Sequence, residues 1–277
     1  MGKYYARHDN EDREVADALE EQYLPKSVGD RVPESAIGAI VSLADKLDNI
    51  TAFFSIGLIP SGSEDPFALR RQAMGIVAIL LDRGYTLSLK DIFAFALENM
   101  KQVKAPQTVM EHITNFMSQR ADFILSSAGY PQEIIRSVIH LSIDNPLQSI
   151  IARIDALAGA QREATFPDFL LAVKRVNNIV PKTALPPAQT SLFLQDEEKN
   201  LYAAVGLARE KLRPAVEQSD FAAALMAILP VTSPVNSFFD KVLVMDKRED
   251  VRMNRLSLLR DVWETVAPVA DFSKFPS

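Results

Sequence analysis

Apolar residues recur along this chain at helical spacing, with polar residues between them. Within residues 11–23 the apolar side chains Val15, Leu19 and Tyr23 fall four positions apart and lie opposite an acidic face. A longer apolar segment follows over residues 35–54. No segment alternates apolar and polar residues over the length of a typical strand. The pattern therefore predicts an all-α protein.

Capping signals divide this pattern into separate helices. Asp65 and Pro66 are typical of an N-cap and a first helical position, because Asp accepts a free backbone N–H and Pro has none to leave unpaired. That helix should end at Gly84, and Ser88 resembles the start of a capping box. A shorter helix should begin at Ser219. Further helices are expected at about 106–127, 131–142, 146–158, 166–180, 191–212, 234–245 and 248–267.

A shift in composition separates two groups of helices. The stretch AGAQREATFP, around residues 159–166, lies between them, and the chain of 277 residues is long enough for one large domain or two ordinary ones. We expect a first domain over residues 1–160 and a second over residues 161–277.

Composition excludes several classes of protein. A hydrophobic content of 48% with 24% charged residues is typical of a soluble globular chain, and the longest apolar runs are too short to span a membrane. The start of the chain shows no secretory signal, so we expect a cytoplasmic location and no membrane partner. With no cysteine there is no disulfide framework and no thiolate site. The net charge of −6 counts against nucleic-acid binding, unless cations cluster locally.

One group of residues resembles a metal-dependent hydrolase site. His8, Asp9, Asp45 and Asp48 are of the types that phosphohydrolases of the HD superfamily use as metal ligands. Such a site needs several converging ligands, and the earlier histidine of that superfamily has no counterpart before His8. We therefore expect a degenerate HD-like site that holds no metal. An HD-type phosphohydrolase stays open as the alternative function.

Basic residues mark two candidate RNA-binding regions. Arg70 and Arg71 follow the Asp65 cap, where they could grip phosphates or pair with a carboxylate. Cations and amides, which contact phosphates and read unpaired base edges, also cluster near residue 175. These candidates are Lys174, Arg175, Asn177, Asn178 and Lys182.

A third basic region lies near the C-terminus. Residues 240–260 hold six basic and four acidic side chains, and its candidate RNA contacts are Lys241, Arg252, Asn254 and Arg255. Phe238 and Phe239, just before this region, could stack on an exposed base, although we expect both in the core. No nucleotide-binding or hydrolase motif of a standard enzyme is present.

Taken together, seven segments resemble the β subunit of the heterotetrameric bacterial glycyl-tRNA synthetase. The most specific are GSEDPFALRR and FFDKVLVM, and the segments occur in family order over nearly the whole chain. They are MGKYYARHDNED at 1–12, YLP at 23–25, SLADKLD at 42–48, FFSIGLIPSGSEDPFALRRQAMG at 53–75, AVKRVNNIV at 172–180, PVNSFFDKVLVM at 234–245 and RMNRLSLLRDVWETVAPVADFSK at 252–274.

The resemblance implies a C-terminal fragment of that subunit. Its first domain would be HD-like and truncated at its N-terminus, and its second a helical-bundle anticodon-binding domain. The implied partners are tRNA-Gly and the α subunit of an α2β2 enzyme, with no DNA. Glycine and ATP would react on the α subunit, so no catalytic residue, cofactor or metal is expected on this chain.

Overall fold

The chain is helical throughout the part that the structure describes. This computed structural model describes residues 1–61, 64–100 and 103–276, and over these ranges it contains helices, loops and two isolated bridges but no strand. The all-α prediction is confirmed. Gly62 and Ser63, which belong to the loop predicted before Asp65, lie outside the described residues.

Contacts divide the chain into two compact units. The N-terminal unit holds residues 1–130 and 139–150, and the C-terminal unit holds residues 131–138 and 151 onward. The boundary that the sequence places near residue 160 stays a prediction.

The N-terminal unit is built on two long helices, α3 (Ala36–Ser55) and α4 (Leu69–Arg83), that pack against each other and against α6 (Pro106–Ser127). Ile50, Phe54, Leu69, Ile76 and Phe116 are among its buried core residues. The unit contains the helices α1 (Gly2–His8), α2 (Arg13–Glu21), α3 (Ala36–Ser55), α4 (Leu69–Arg83), α5 (Leu89–Asn99) and α6 (Pro106–Ser127).

The C-terminal unit packs its helices around a second core, to which Val176, Leu201, Phe238 and Leu259 contribute. The fully buried Arg153 lies 3.9 Å from the ring centroid of Phe221, and burial lowers the pKa of this arginine to about 10. The helices are α7 (Gln132–Val138), the part of α8 (Leu147–Ala160) from residue 151, α9 (Phe166–Ile179), α10 (Asp196–Glu217), α11 (Phe221–Ile228), α12 (Thr232–Lys241) and α13 (Glu249–Val266).

Two of the predicted helix boundaries are confirmed. Gly84 ends α4 in the left-handed conformation, with φ at 65°, where a residue without Cβ is favoured. The Ser88 hydroxyl accepts the backbone N–H of Asp91 at 3.0 Å and so caps α5.

Two other caps differ from the prediction. Asp65 accepts the backbone N–H groups of Leu69 and Arg70, at 2.8 and 3.0 Å, so α4 begins at Leu69 rather than at Pro66. The cap of α11 is Asp220, whose carboxylate accepts from Ala223, and not Ser219. At α4 the Asp65 carboxylate accepts free N–H groups four and five residues further along the chain. At α11 the Asp220 carboxylate takes the role predicted for the Ser219 hydroxyl.

The helix predicted over 234–245 ends early. α12 stops at Lys241, and the next residues are extended, with Val242 at φ −106° and ψ 122°. Val242 and Val244 are buried, whereas Leu243 and Met245 are 69% and 59% exposed. The alternation of sides identifies an extended segment, which β-branched valines favour.

One stretch of the described residues, Phe221–Lys241, is long and apolar enough to cross a membrane. In its most apolar window 44% of residues are buried inside the protein. A single stretch of this kind is weak evidence for a membrane span, because core helices have the same composition.

A buried carboxylate fixes the start of α3. Glu21 accepts the backbone N–H groups of Glu34 and Ser35 at 3.1 and 3.2 Å, and Ser35 in turn caps α3 by accepting from Gly38. A Cβ added at Gly38 would lie 2.7 Å from the Cβ of Glu21. Gly38 is therefore required for close approach.

We predict that Gly38→Ala lowers the free energy of unfolding by about 1–3 kcal/mol, because the new methyl group overlaps Glu21 and displaces the cap. Urea denaturation followed by circular dichroism measures the change. Gly206→Ala in α10 is the control, since no atom lies within 4 Å of a Cβ there. It should raise stability by about 0.5–1 kcal/mol. Equal effects of the two substitutions would contradict the steric role of Gly38.

Candidate nucleic-acid interface

The predicted RNA-binding residues of α9 lie on the side of this helix away from the core. Phe169, Ala172, Val173 and Val176 of α9 are buried, whereas its polar residues lie between them. α9 packs along α12, so the polar side chains of the two helices meet at one surface. We call this surface, formed by α9, α12 and the loop to Lys182, the α9–α12 face.

Arg175 is held over an aromatic ring on the α9–α12 face. Its guanidinium carbon lies 4.5 Å from the ring centroid of Phe239, and its Nη1 donates to Asn236 Oδ1 at 3.4 Å. Asp240 lies 3.9 Å from Nη2, a long and exposed contact. Phe238 is fully buried, as expected, and Phe239 is partly exposed beneath the guanidinium.

The other predicted residues of this region differ in their availability. Lys174 donates to the carbonyl of Pro276 at 2.8 Å from an exposed position. Asn178 and Lys182 are exposed, Asn177 is half-buried, and among the described residues no hydrogen bond or ion pair engages these three side chains. They are free to bind an external partner.

A groove of about 540 Å³ adjoins Arg175 and was not recognised in the sequence. It lies between the start of α9 and α12, and its lining combines apolar surface with hydroxyl and amide side chains, two carboxylates and the amine of Lys241. The residues that carry hydrogen-bonding groups into it include Thr165, Asp168, Ser233, Asn236, Ser237 and Asp240. The signal was available: Ser233, Asn236, Ser237 and Asp240 are spaced three and four apart, which places them on one face of a helix.

Arg255 and Asn254 do not face solvent, contrary to expectation. Arg255 is 3% exposed, and its Nε donates to the fully buried Glu198 at 2.9 Å. Its Nη1 donates to the Leu243 carbonyl and to Asp246, at 2.9 and 3.1 Å. Asn254 is 4% exposed and bonds both backbone groups of Gln189. Their polar groups are satisfied inside the protein, so we leave both out of the interface.

The Arg255 cluster joins three parts of the C-terminal unit. Glu198 also accepts the backbone N–H groups of Leu194 and Gln195, which immediately precede α10. Asp246 lies in the loop before α13, and hydrogen bonds from Arg248 hold the pKa of its carboxyl well below the usual range. The cluster therefore fixes α10, α13 and the extended segment to one another.

The remaining cations of residues 240–260 contact different partners. Lys241 pairs with Glu197 at 2.8 Å, which raises the pKa of the lysine. Arg252 is half-exposed, 3.9 Å from Glu249 of the preceding helical turn. Arg260 donates to the carbonyls of Leu185 and Pro186 and holds the connector in place. The ion pairs of Lys241 and Arg252 are weak and exposed, so both cations can exchange these partners for an external anion. The segment does not form one continuous basic face.

The expected HD-like site is not assembled. No group of three or more His, Cys, Asp or Glu side chains that could hold a metal occurs among the described residues. His8 and Asp9 are exposed and contact each other at 3.4 Å. Asp45 and Asp48 line two different cavities. A spacing of three residues allows two side chains to share one face of a helix, but here Asp45 and Asp48 face different cavities.

The two consecutive arginines of α4 have different surroundings. Arg70 is half-buried and its Nη1 approaches the Glu64 carbonyl at 3.4 Å. Arg71 is exposed and lines a polar cleft with Asp45. Only Arg71 therefore presents its charge to an open cavity.

Comparison with known protein families adds to this geometry. Residues 1–140, half of the chain, match the family described as "Glycyl-tRNA synthetase beta subunit". The chain belongs to the glycyl-tRNA synthetase beta subunit family. Residues 169–269 match the family described as "DALR anticodon binding domain". That second match covers the helices from α9 to α13 and so includes the α9–α12 face.

Individual relatives agree with this membership. The protein named "Glycine--tRNA ligase beta subunit" of Thermodesulfovibrio yellowstonii is 40% identical over 274 residues, and that of Citrifermentans bemidjiense is 40% identical over 277. The namesake of Syntrophus aciditrophicus is 35% identical over 276 residues. Each comparison covers 99% of this chain and 40% of the relative, so the chain spans about two fifths of these beta subunits.

We predict that Arg255→Met lowers the free energy of unfolding by about 3–5 kcal/mol, because it leaves the charge of Glu198 buried without its cation. Urea denaturation measures the change. Arg252→Met, in the same helix but in a half-exposed pair, should change it by less than about 1 kcal/mol. If Arg255→Met is no more destabilising than Arg252→Met, the Arg255 cluster does not hold the unit together.

Proposed function

We propose that this chain is the tRNA-binding portion of a glycyl-tRNA synthetase. It recognises tRNA-Gly with its C-terminal unit, and the α subunit of an α2β2 enzyme in the cytoplasm joins glycine to that tRNA with ATP. The observation that carries the proposal is the match to a DALR anticodon-binding domain over residues 169–269, where the α9–α12 face lies.

Local charge supports RNA binding by an acidic chain. The whole chain has a net charge of −6, so its surface as a whole does not attract phosphates. The α9–α12 face departs from that average, because Lys174 and Lys182 are at its edge and Arg175 is at its centre. These cations position the RNA backbone, with Lys241, which also lines the groove, and Arg252 as further contacts.

The groove beside Arg175 supplies the means to read bases. Hydroxyl and amide groups such as those of Ser233, Ser237 and Asn236 donate and accept hydrogen bonds at the edges of unpaired bases. Beside the groove, the guanidinium of Arg175 offers a flat cation, already oriented by Phe239, on which a base can stack. Asn177 and Asn178 add amide groups at the end of α9.

The anticodon arm is the part of tRNA that fits this arrangement. A flat cation and a groove of hydrogen-bonding side chains require bases that are free of pairing, as in a loop. Phosphate contacts give affinity without sequence information, so discrimination among tRNAs falls to the groove. The N-terminal unit, with Arg70 and Arg71, contacts another region of the same tRNA or another part of the synthetase.

We predict that Arg175→Ala with Lys182→Ala weakens tRNA-Gly binding roughly tenfold, because each substitution removes one charge-assisted phosphate or base contact. Fluorescence anisotropy with labelled tRNA-Gly measures the dissociation constant. The slope of log affinity against log salt concentration, which is negative, should become shallower by about 1–2. Asn236→Ala should instead weaken the binding of tRNA-Gly more than it weakens the binding of a tRNA-Gly whose anticodon has been altered.

A charge-matched control is available in the same unit. Lys211→Ala with Arg213→Ala removes two exposed cations from α10, and we expect it to leave affinity within about twofold of the original. Circular dichroism confirms that each variant is folded. Equal losses in the control pair and in the α9–α12 pair, or no binding of tRNA-Gly at low salt, would contradict the proposal.

A further inference from the structure

A polar cleft in the N-terminal unit is built unlike the rest of the acidic surface. It has a volume of about 440 Å³, within the range of small-molecule sites. Three cations line it, Lys26, Lys46 and Arg71, against a single carboxylate, that of Asp45. Tyr23, Asn49 and Gln72 supply further polar groups.

The floor of the cleft carries a fixed positive charge. Lys46 is 4% exposed, and its Nζ donates to the carbonyls of Gln22 and Leu24 and to the Ser42 hydroxyl, at 3.2, 3.0 and 2.6 Å. All three of its donors are thus used by neutral acceptors, and no carboxylate lies within 4 Å among the described residues. The charge is held in place without being neutralised.

The backbone of α4 keeps that amine in position. A Cβ added at Gly75 would come within 2.9 Å of the Lys46 Cε, so a glycine is needed for the lysine stem to pass. Burial removes water from the Lys46 amine, which disfavours its charged form and lowers its pKa. A nearby anion offsets this cost, because attraction is stronger where water is partly excluded.

The walls of the cleft carry two free cations. Lys26 and Arg71 are exposed, and neither side chain forms a salt bridge within 4 Å in the part of the chain that the structure describes. The opposing carboxylate of Asp45 is turned toward Asn49, whose Nδ2 lies 3.4 Å from its Oδ1. Tyr23, 63% exposed at the rim, presents an aromatic ring to whatever enters.

We propose that this cleft binds the phosphate of a nucleotide. Lys26 and Arg71 contact the phosphate oxygens directly, Lys46 adds attraction from the floor through its fixed charge, and the ring of Tyr23 stacks on the base. The nucleotide is either free or part of an RNA chain, since both present this chemistry. For the RNA source, the proposal rests on the N-terminal contact with tRNA proposed above for Arg71. It is independent of the RNA-binding role of the α9–α12 face.

Binding of fluorescent AMP to the full chain, at low salt, tests the free-nucleotide source. We expect Lys26→Ala with Arg71→Ala to weaken binding at least about tenfold, because two charge-assisted contacts are lost. Asp45→Asn should strengthen it about threefold by removing the one repulsive charge. Arg13→Ala with Lys104→Ala removes two exposed cations outside the cleft and should leave AMP affinity within about twofold.

The same four proteins, titrated with labelled tRNA-Gly, test the RNA source. If AMP does not bind, the proposal requires the same order of affinities for tRNA: strengthened by Asp45→Asn and weakened by the Lys26–Arg71 pair. A structural defect alone could weaken binding in the Lys26–Arg71 variant, but it could not explain stronger binding by the Asp45→Asn variant. If neither probe distinguishes the cleft variants from the Arg13–Lys104 control, the proposal is overturned. Arg175→Ala with Lys182→Ala should leave AMP binding intact, which separates this test from that of the α9–α12 face.

Discussion

The buried pair of Arg255 and Glu198 is the contact on which the C-terminal unit depends. Each side chain also bonds backbone groups, so one pair fixes the start of α10, the extended segment after α12 and the middle of α13. Because α12 ends where that segment begins, the pair also determines where the polar face of α12 stops. A buried ion pair is often no more stabilising than apolar packing, but it specifies one arrangement of the groups it joins.

The same pair shows why counting cations is a poor guide to an RNA-binding surface. Arg255 is enclosed, Arg260 holds the carbonyls of the connector, and Arg248 binds Asp246. The charges that remain available are Arg175 and Lys182, together with Lys241 and Arg252 in weak surface pairs. Under the proposed function, these few cations without structural roles determine where phosphates bind, and Arg175 lies beside the groove.

Periodicity predicted the helical class and most of the helices, because burial of one face imposes the spacing whatever the partner is. It failed where a choice depends on contacts distant in the chain. Val242 continues the helical spacing of Val235 and Phe238 in the sequence, yet it is extended, and the Arg255 cluster holds the next carbonyl, that of Leu243. Arg255 and Arg252 look alike in sequence, and only the position of Glu198 on another helix separates them. The polar face of α12 can be predicted from its spacing, but the groove beside Arg175 also needed the pairing of α9 with α12, which no local signal gives.

Cross-linking of tRNA-Gly to the chain, with the linked residues mapped by mass spectrometry, tests the central claim most directly. We expect linked residues in the C-terminal unit to concentrate in 165–182 and 232–241, which contain the groove and Arg175. Links from the anticodon loop should be the most frequent there. Cross-links of the anticodon loop confined to α10 and α11, with none on α9 or α12, would contradict it.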